Sequence, residues 1–345
     1  MPDTFRPDIS ERPAPPAGRV SMEVVKPGLA TSVQDGGRSG YYHLGIPPSG
    51  AMDQMSYRAG NLLLGNPETA ASFECALMGP ELRFDGATRI CVTGAEMAPK
   101  IDGQVHPTNT VVEVGAGQTL SFGFAAQGAR GYLAVAGGVD VPERLGSRST
   151  YALGGLGGHR GRTLRAGDTL VTGDPAAVAP PAGAELPAEL RAPLAKEYEL
   201  RMVPGLYDYR VQAESMATFL AETWLVASEA DRIGYRLKGG TPLDFVPREP
   251  PFGAGDDPSN IVDACYPIGS IQVPSGQQPI VLHRDAVSGG GYMMVGTVIS
   301  ADMDLIGQMP PNTKVRFVAV TVDQALTARA DRTARLDRIR AAVGG

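Results

Sequence analysis

Short runs of apolar and β-branched residues alternate with turn residues along most of the chain. Between residues 20 and 174, such runs occupy positions 20–25, 70–76, 81–84, 89–92, 111–114, 119–124 and 130–135. Turns such as Gly115-Ala116-Gly117 separate them. Runs of about four to eight residues bounded by glycine or aspartate are typical of β-strands. The pattern therefore predicts a mainly β protein with many short strands.

Residues 51–64 are the exception, because their apolar positions recur with helical spacing. Met52, Met55 and Ala59 lie on one face, while polar residues, including Asp53 and Asn61, recur every four positions on another. We expect Ser49 or Gly50 to cap this helix. Asp53 then falls in its first turn, where the helix dipole favours an anion.

The periodicity divides the chain into two β-rich regions. Residues 175–197 are rich in alanine and proline without a strand pattern, which predicts a linker. We expect one β-barrel domain at 20–174 and a second at 198–325. Residues 1–19 are predicted to be a disordered arm. Residues 326–345 are predicted to form an arginine- and alanine-rich helix that faces solvent or a partner.

Four short strings recur in the same order in both regions. The strings PGL, R-x-G-Y, PSG and G-Y-x-x-V occur at 27–29, 38–41, 48–50 and 131–135, and again at 204–206, 232–235, 274–276 and 291–295. Ordered repetition of this kind predicts a duplicated β-barrel-like unit. If the two units pack together, their polar loops can meet at one cleft.

Polar residues lie inside or beside apolar strands in several places. Glu74 interrupts an apolar run, and a carboxylate there must be paired or belong to a site. In residues 269–298, two apolar runs joined by a Ser-Gly-Gln-Gln turn precede a glycine-rich loop, and Gln272, Gln278 and Asp285 accompany them. The alternative interpretation is a hairpin with solvated ends. We expect a binding cleft, because buried polar groups usually need partners.

Composition excludes several classes of function. The 345 residues include 44 glycines and 29 prolines, and the net charge of −6 gives no electrostatic case for nucleic acid or an anionic membrane. The three cysteines are far apart and form no CxxC motif, which is typical of reduced thiols in a cytosolic protein. We find neither a signal-peptide pattern nor an apolar run of about 18 to 20 residues. The expected location is cytoplasmic.

Four long strings resemble one known family. They are SVQDGGRSGYYHLGIPPSGAMD (32–53), GYLAVAGGVDVPERLGSRSTY (131–151), DRIGYRLKG (231–239) and GSIQVPSGQQPIVLHRDAVSGGGY (269–292). They are similar to the KipA family, which is also known as the C subunit of 5-oxoprolinase, as allophanate hydrolase subunit 2, or as a biotin-dependent carboxyltransferase-like family. The resemblance covers residues 21–325 and implies two tandem cyclophilin-like β-barrels.

The resemblance also implies an activity and partners. It implies ATP-dependent opening of 5-oxoproline, with ATP and Mg²⁺ acting within a complex. The implied partners are a KipI/PxpB-type B subunit and a lamB/PxpA-type subunit. Two alternatives stay open. One is carboxyl transfer to a urea-like acceptor from carboxybiotin carried by another protein, since the chain has no Met-Lys-Met carrier motif. The other is a non-catalytic regulator of a KipI-type protein.

Candidate site residues combine the family motifs with side-chain chemistry. Arginine binds anions in a bidentate manner, aspartate can orient substrate or hold Mg²⁺, and glutamine offers both a donor and an acceptor to an amide or biotin ureido group. The candidate catalytic residues are Asp35, Arg38, Asp53, Arg232 and Asp285. The candidate binding residues are Gln34, Ser49, Asn61, Glu74, Tyr235, Arg236, Gln272, Gln278, Ser288, Gly290, Gly291 and Tyr292. No residue is assigned as a dedicated metal ligand.

Three positions depart from the family pattern inside the glycine-rich loop. Val287, Gly289 and Met293 stand where the family has a glutamine, a threonine and a proline. Losing polar groups in a loop that faces substrate changes what it can hydrogen-bond. We therefore expect these positions to determine which substrate is bound, and this leaves open whether that substrate is 5-oxoproline itself.

Overall fold

The computed structural model describes residues 18–176, 180–249 and 251–343. Residues 1–17 of the predicted arm, and residues 177–179 of the predicted linker, lie outside the described residues. No described helix is long and apolar enough to cross a membrane.

Residues 18–176 form two sheets around one apolar core. Their strands are β1 (Ser21–Lys26), β2 (Thr31–Gln34), β3 (Ser72–Ala76), β4 (Glu81–Phe84), β5 (Thr88–Gly94), β6 (Pro99–Ile101), β7 (Gln104–Val105), β8 (Val111–Val114), β9 (Thr119–Phe122), β10 (Arg130–Val135), β11 (Val139–Asp140) and β12 (Thr169–Thr172). One sheet has the order β11-β12-β1-β4-β9-β6-β7, and the other has the order β2-β3-β10-β5-β8. Met22, Phe73 and Leu133 are among the fully buried side chains of this core.

The second half contains a closed barrel. Its strands are β13 (Glu197–Pro204), β14 (Trp224–Val226), β15 (Gly234–Lys238), β16 (Asn260–Cys265), β17 (Ser270–Gln272), β18 (Ile280–Leu282), β19 (Gly289–Tyr292), β20 (Met294–Val298) and β21 (Lys314–Ala319). Seven of them close in the order β13-β20-β17-β18-β15-β14-β21, while β16 and β19 form a separate two-stranded sheet. Phe219 and Phe317 stack at 5.0 Å in the core beside Trp224. The predicted mainly β fold is confirmed.

Four α-helices accompany the sheets in the described part of the chain: α1 (Gln54–Leu63), α2 (Ala213–Ala221), α3 (Met303–Gly307) and α4 (Val322–Val343). Helix α4 starts four residues before the predicted position. It does not simply face solvent, since Leu336 and Ile339 are buried in a cluster with Met55 of α1. Leu190, from the predicted linker, joins the same cluster. The apolar residues on one face of α4 explain the difference, because they are better removed from water.

The predicted cap of α1 is wrong by a few residues. Asp53 itself is the N-cap, and its side chain accepts hydrogen bonds from the backbone N–H groups of Met55 (3.1 Å) and Ser56 (2.9 Å). Aspartate is among the strongest capping residues, because its oxygen satisfies amides that lack a helical partner. The buried Asp53 therefore has a clear structural role.

Candidate active site between the two halves

One arginine joins the two halves of the chain. Arg232, just before β15, donates from Nη1 to Glu74 Oε1 at 2.5 Å and from Nε to Asp285 Oδ2 at 2.8 Å. Its Nη2 also donates to the carbonyl oxygen of Gly50 at 2.8 Å. A guanidinium of the second half is thus held by a carboxylate and a loop of the first half. Buried charges usually require such pairing.

Strand pairing places Glu74 where Arg232 can reach it. In the antiparallel pair of β3 and β10, Glu74 lies opposite Tyr132. Glu74 Oε2 accepts from the Tyr132 hydroxyl and from the Met52 N–H, both at 2.9 Å. Burial works against ionisation of Glu74, but the charges of Arg232 and Arg130 outweigh it and hold its pKa below the ordinary value. Glu74 is therefore a buried carboxylate that stays charged.

Arg130 is a second buried cation at this place, and it was not predicted. Its Nη1 donates to the Tyr235 hydroxyl at 2.5 Å and to the Gly307 carbonyl at 3.0 Å. Its Nε lies 3.7 Å from Glu74 Oε1 and makes no hydrogen bond within the described part of the chain. The sequence does hold a signal that could have indicated it. Arg130 is a charged residue in the apolar run RGYLAV, just as Glu74 is a charged residue in the apolar run SFECALMG.

These charges line a cavity of about 320 Å³. The lining residues are Ala30, Ser32, Gln34, Glu74, Ala76, Arg130, Thr150, Ala152, Leu153, Thr163, Ala230, Asp231, Arg232, Ile233 and Asp285. Four of the predicted site residues are among them: Gln34, Glu74, Arg232 and Asp285. The lining combines apolar groups with a few converging donors and acceptors, as small-molecule sites do. Such a set can bind a neutral amide, which offers one acceptor and one donor side by side.

The loop that leads to α1 is held by Asp35. Its Oδ1 accepts from the Gly37 N–H at 2.8 Å and the Ser147 hydroxyl at 2.7 Å, and its Oδ2 accepts from the Arg148 N–H at 2.5 Å. The Ser149 hydroxyl donates to Oδ1 as well. Asp35 thus holds the loop together and lies outside the cavity lining, so its predicted catalytic role finds no support in this geometry.

Arg38 and Ser49 are buried in the same loop. Arg38 Nη2 donates to the Ser149 carbonyl at 2.5 Å, whereas its Nε and Nη1 have no hydrogen-bond partner among the described residues. Burial lowers the pKa of Arg38. The Ser49 N–H donates to the carbonyl of Arg284 at 2.9 Å. The loop therefore does contact the second half, as predicted from the sequence, although neither side chain lines the cavity.

Asp53 and Asn61 hold α1 in place, and Asp53 also contacts the second half. Asp53 Oδ2 accepts from the Ser56 hydroxyl at 2.6 Å and from Gln308 Nε2 at 2.8 Å. Burial and the neighbouring charge of Asp304 raise the pKa of Asp53 to about 6. Asn61 Nδ2 donates to the Ala70 carbonyl at 2.8 Å. Both side chains fix α1, and neither lines the cavity at Arg232.

The remaining predicted residues are spread around the barrel. Tyr235 supports Arg130, Gln272 is buried in β17, and Arg236 and Gln278 are exposed. Ser288, Gly290, Gly291 and Tyr292 lie in or beside β19, which pairs with β16 in the two-stranded sheet. The structure therefore places the glycine-rich loop outside the cavity lining. Of the departing positions, Met293 is buried in the barrel core and Val287 is exposed.

The described residues contain no preformed cluster of metal-ligand side chains. They contain no group of three or more His, Cys, Asp or Glu side chains placed to hold a metal ion. Asp35 has hydrogen-bond donors on both oxygens, and Asp285 is paired with Arg232. Carboxylates that are already paired are poor ligands for Mg²⁺, which binds mainly through free carboxylate oxygens and water.

Comparison with known proteins identifies the family. Residues 44–319 match the carboxyltransferase domain family, subdomains A and B. The chain belongs to this family, which includes allophanate hydrolase subunit 2 and the C subunit of 5-oxoprolinase, and the predicted resemblance is confirmed.

Curated relatives fall into two groups. The chain is 33% identical to the C subunit of Escherichia coli 5-oxoprolinase over 310 residues, which cover 90% of this chain and 94% of that protein. It is 34% identical to Lachancea kluyveri urea amidolyase over 332 residues, which cover 92% of this chain but only 18% of that protein. The crystal structure of the K. lactis urea amidolyase matches with a TM-score of 0.86 at 33% identity, over 92% of this chain and 20% of that one. Homologues of this chain are thus parts of hydrolase and carboxylase enzymes.

Proposed function

We propose that this chain is the C subunit of an ATP-dependent, 5-oxoprolinase-like hydrolase that opens a lactam or a related amide. It would act with a KipI-type B subunit and a lamB-type subunit. The observation that carries the proposal is the position of Arg232, held between Glu74 and Asp285 where the two halves meet at the cavity.

The cavity fits the polar groups of a lactam. The lactam carbonyl would lie beside the Arg130 guanidinium, which lines the cavity and whose Nε makes no hydrogen bond among the described residues. The lactam N–H can donate to Asp285, whose carboxylate is oriented by Arg232. Donors placed in advance around a carbonyl oxygen stabilise the charge that develops there during reaction. ATP would supply a phosphoryl group that makes this oxygen a leaving group. In this proposal the nucleotide and Mg²⁺ bind within the assembled complex.

The test is lactam-dependent ATP hydrolysis by the co-expressed complex. We expect turnover with 5-oxoproline or another small lactam, and a fall of about 100-fold in kcat/KM for Arg232→Lys, which removes the bidentate geometry. Arg236→Lys is the matched control, because this neighbouring arginine is exposed and lies outside the cavity. Co-purification of the subunits reports whether the complex still forms. If Arg232→Lys dissolves the complex, the arginine is structural and its assigned role is wrong.

Carboxyl transfer from carboxybiotin is the second candidate. It is favoured by the likeness to urea amidolyase in both sequence and structure. The ureido group of biotin and urea itself present the same donor and acceptor pattern as a lactam. Decarboxylation of carboxybiotin on addition of urea, with no lactam turnover, would replace the first proposal. A stable complex without either activity would favour the regulator.

A further inference from the structure

A second cavity lies where α4 passes over the start of α1. Its volume is about 320 Å³, and it is lined by charged side chains together with apolar ones such as Met55 and Leu305. Three arginines come from α4 and one from β13: Arg332, Arg335, Arg338 and Arg201. Four aspartates face them: Asp53, Asp302, Asp304 and Asp331. The formal charges balance, so the hydrogen-bonding capacity of each group decides what the cavity can bind.

Two of the acids already have their oxygens engaged. Asp302 receives both Nε (3.0 Å) and Nη2 (2.6 Å) of Arg201. Asp304 Oδ2 accepts from Arg332 Nε at 2.7 Å, and its Oδ1 accepts from the Gln54 N–H at 2.8 Å. These carboxylates are used in holding the walls of the cavity together.

Asp53 is engaged in the same way. Its Oδ1 accepts from two backbone N–H groups at the start of α1, and its Oδ2 accepts from Ser56 and Gln308. With a pKa raised to about 6 by burial and by Asp304, Asp53 also opposes an incoming anion less as the pH falls toward that value. A cation would need free acceptors, and three of the four acids are already paired.

The arginines, in contrast, keep unused donors. Arg332 is bonded only through Nε, and Arg335 only through Nη2, which donates to the carbonyls of Leu190 (3.0 Å) and Arg191 (2.6 Å). Arg338 is an exposed side chain that makes no hydrogen bond or ion pair with any part of the chain that the structure describes. Each guanidinium has five N–H donors in a planar fork. Burial lowers the pKa of Arg335, which is a cost that a nearby anion would offset.

We propose that this cavity binds a small oxyanion, a phosphate or a carboxylate, through the free N–H groups of Arg332, Arg335 and Arg338. A short apolar portion of the ligand would pack on Met55 and Leu305. Arginine forks match the geometry of both kinds of oxyanion. The site does not rest on the proposed function, and its three arginines with free donors come from α4, which begins at Val322, beyond the residues matched by the family.

The probes are inorganic phosphate and butyrate, titrated into the full chain at constant ionic strength and followed by calorimetry and thermal unfolding. We expect saturable binding of at least one probe, with a Tm that rises with its concentration. Binding of phosphate alone assigns a phosphate head group, and binding of butyrate alone assigns a carboxylate. Binding of both fits a general oxyanion site. Absence of saturable binding for both probes would overturn the proposal.

Substitutions on α4 separate this site from general charge effects. Arg338→Gln should weaken binding at least about fivefold, because it removes donors that make no hydrogen bond or ion pair within the described protein. Arg329→Gln removes the same charge from an exposed position of α4 outside the cavity and should leave binding unchanged. Equal affinities of these two variants would contradict the site. Arg335→Gln should weaken binding further, and if it fails to fold, Arg338→Gln decides.

Discussion

Glu74 is a buried carboxylate held by two arginines from other parts of the chain. A carboxylate inside an apolar strand needs a partner or a site, and the structure supplies Arg232 and Arg130. The partners could not be predicted, because Arg232 is 158 positions away along the chain. Asp35 and Asp53 have equally suggestive sequence positions, yet they hold a loop and cap a helix. Local pattern indicates that such a residue is engaged, while its partners depend on tertiary packing.

Glu74→Gln should destabilise the protein strongly at neutral pH. It leaves the buried Arg232 and Arg130 with one negative charge fewer, and breaking a buried pair from one side typically costs about 3–5 kcal/mol. The free energy of unfolding from urea titrations measures the effect. Glu143→Gln, which breaks the surface pair with Arg148, should cost less than about 1 kcal/mol. A loss of that small size for Glu74→Gln would contradict a charged Glu74.

The raised pKa of Asp53 should make the stability of the protein depend on pH. Because its folded pKa is raised to about 6 from the ordinary 3.8, the folded state binds a proton more tightly than the unfolded chain. Protonation of Asp53 therefore stabilises the folded state fully below about pH 4. This stabilisation is lost as the pH rises through 6, and it stays lost above that pH. The stability of the wild type relative to Asp53→Asn should fall between pH 4 and pH 7, by about 3 kcal/mol at most. Urea unfolding at several pH values tests this, and a flat or rising difference would show that the pKa is not raised.

At the scale of elements, the bounds of the strands were easier to predict than the strands with which they pair. Glu81–Phe84, Val111–Val114 and Arg130–Val135 have the predicted bounds, since short apolar runs between turns define them locally. The glycine-rich segment Gly289–Tyr292 was expected at the cleft and pairs with β16 instead. Which strand pairs with which depends on contacts distant in sequence, and the pattern of one segment does not contain them.

Helix α4 was predicted from composition, but its packing was not. Ile339 is fully buried in the cluster shared with α1. Ile339→Ala should therefore cost about 2–5 kcal/mol, as expected for truncating a buried aliphatic side chain. Val322→Ala, at an exposed position of the same helix, should cost less than about 1 kcal/mol. Thermal or urea unfolding measures both, and equal small effects would mean that α4 does not pack on α1 in solution.

At the scale of the whole molecule, the repeated strings and the polar loops predicted two β-rich units that meet at a cleft. The structure has a closed barrel in the second half and two sheets around one core in the first. Arg232 and the loop at Gly50 bring the halves together at the cavity. The composition and motifs were sufficient for the fold class and the family. The cavity itself required the structure, since Arg130 and half of its lining come from positions without a recognisable motif.

We propose that the cavity at Arg232 and Asp285 carries the chemistry of the complex. The most direct measurement is kcat/KM for lactam-dependent ATP hydrolysis by the assembled complex with Asp285→Asn, which removes the carboxylate charge but keeps an acceptor for Arg232. We expect a fall of about 100-fold with the complex intact, whereas Asp263→Asn, on the exposed face of β16, should keep full activity. Full activity of Asp285→Asn in an intact complex would contradict it.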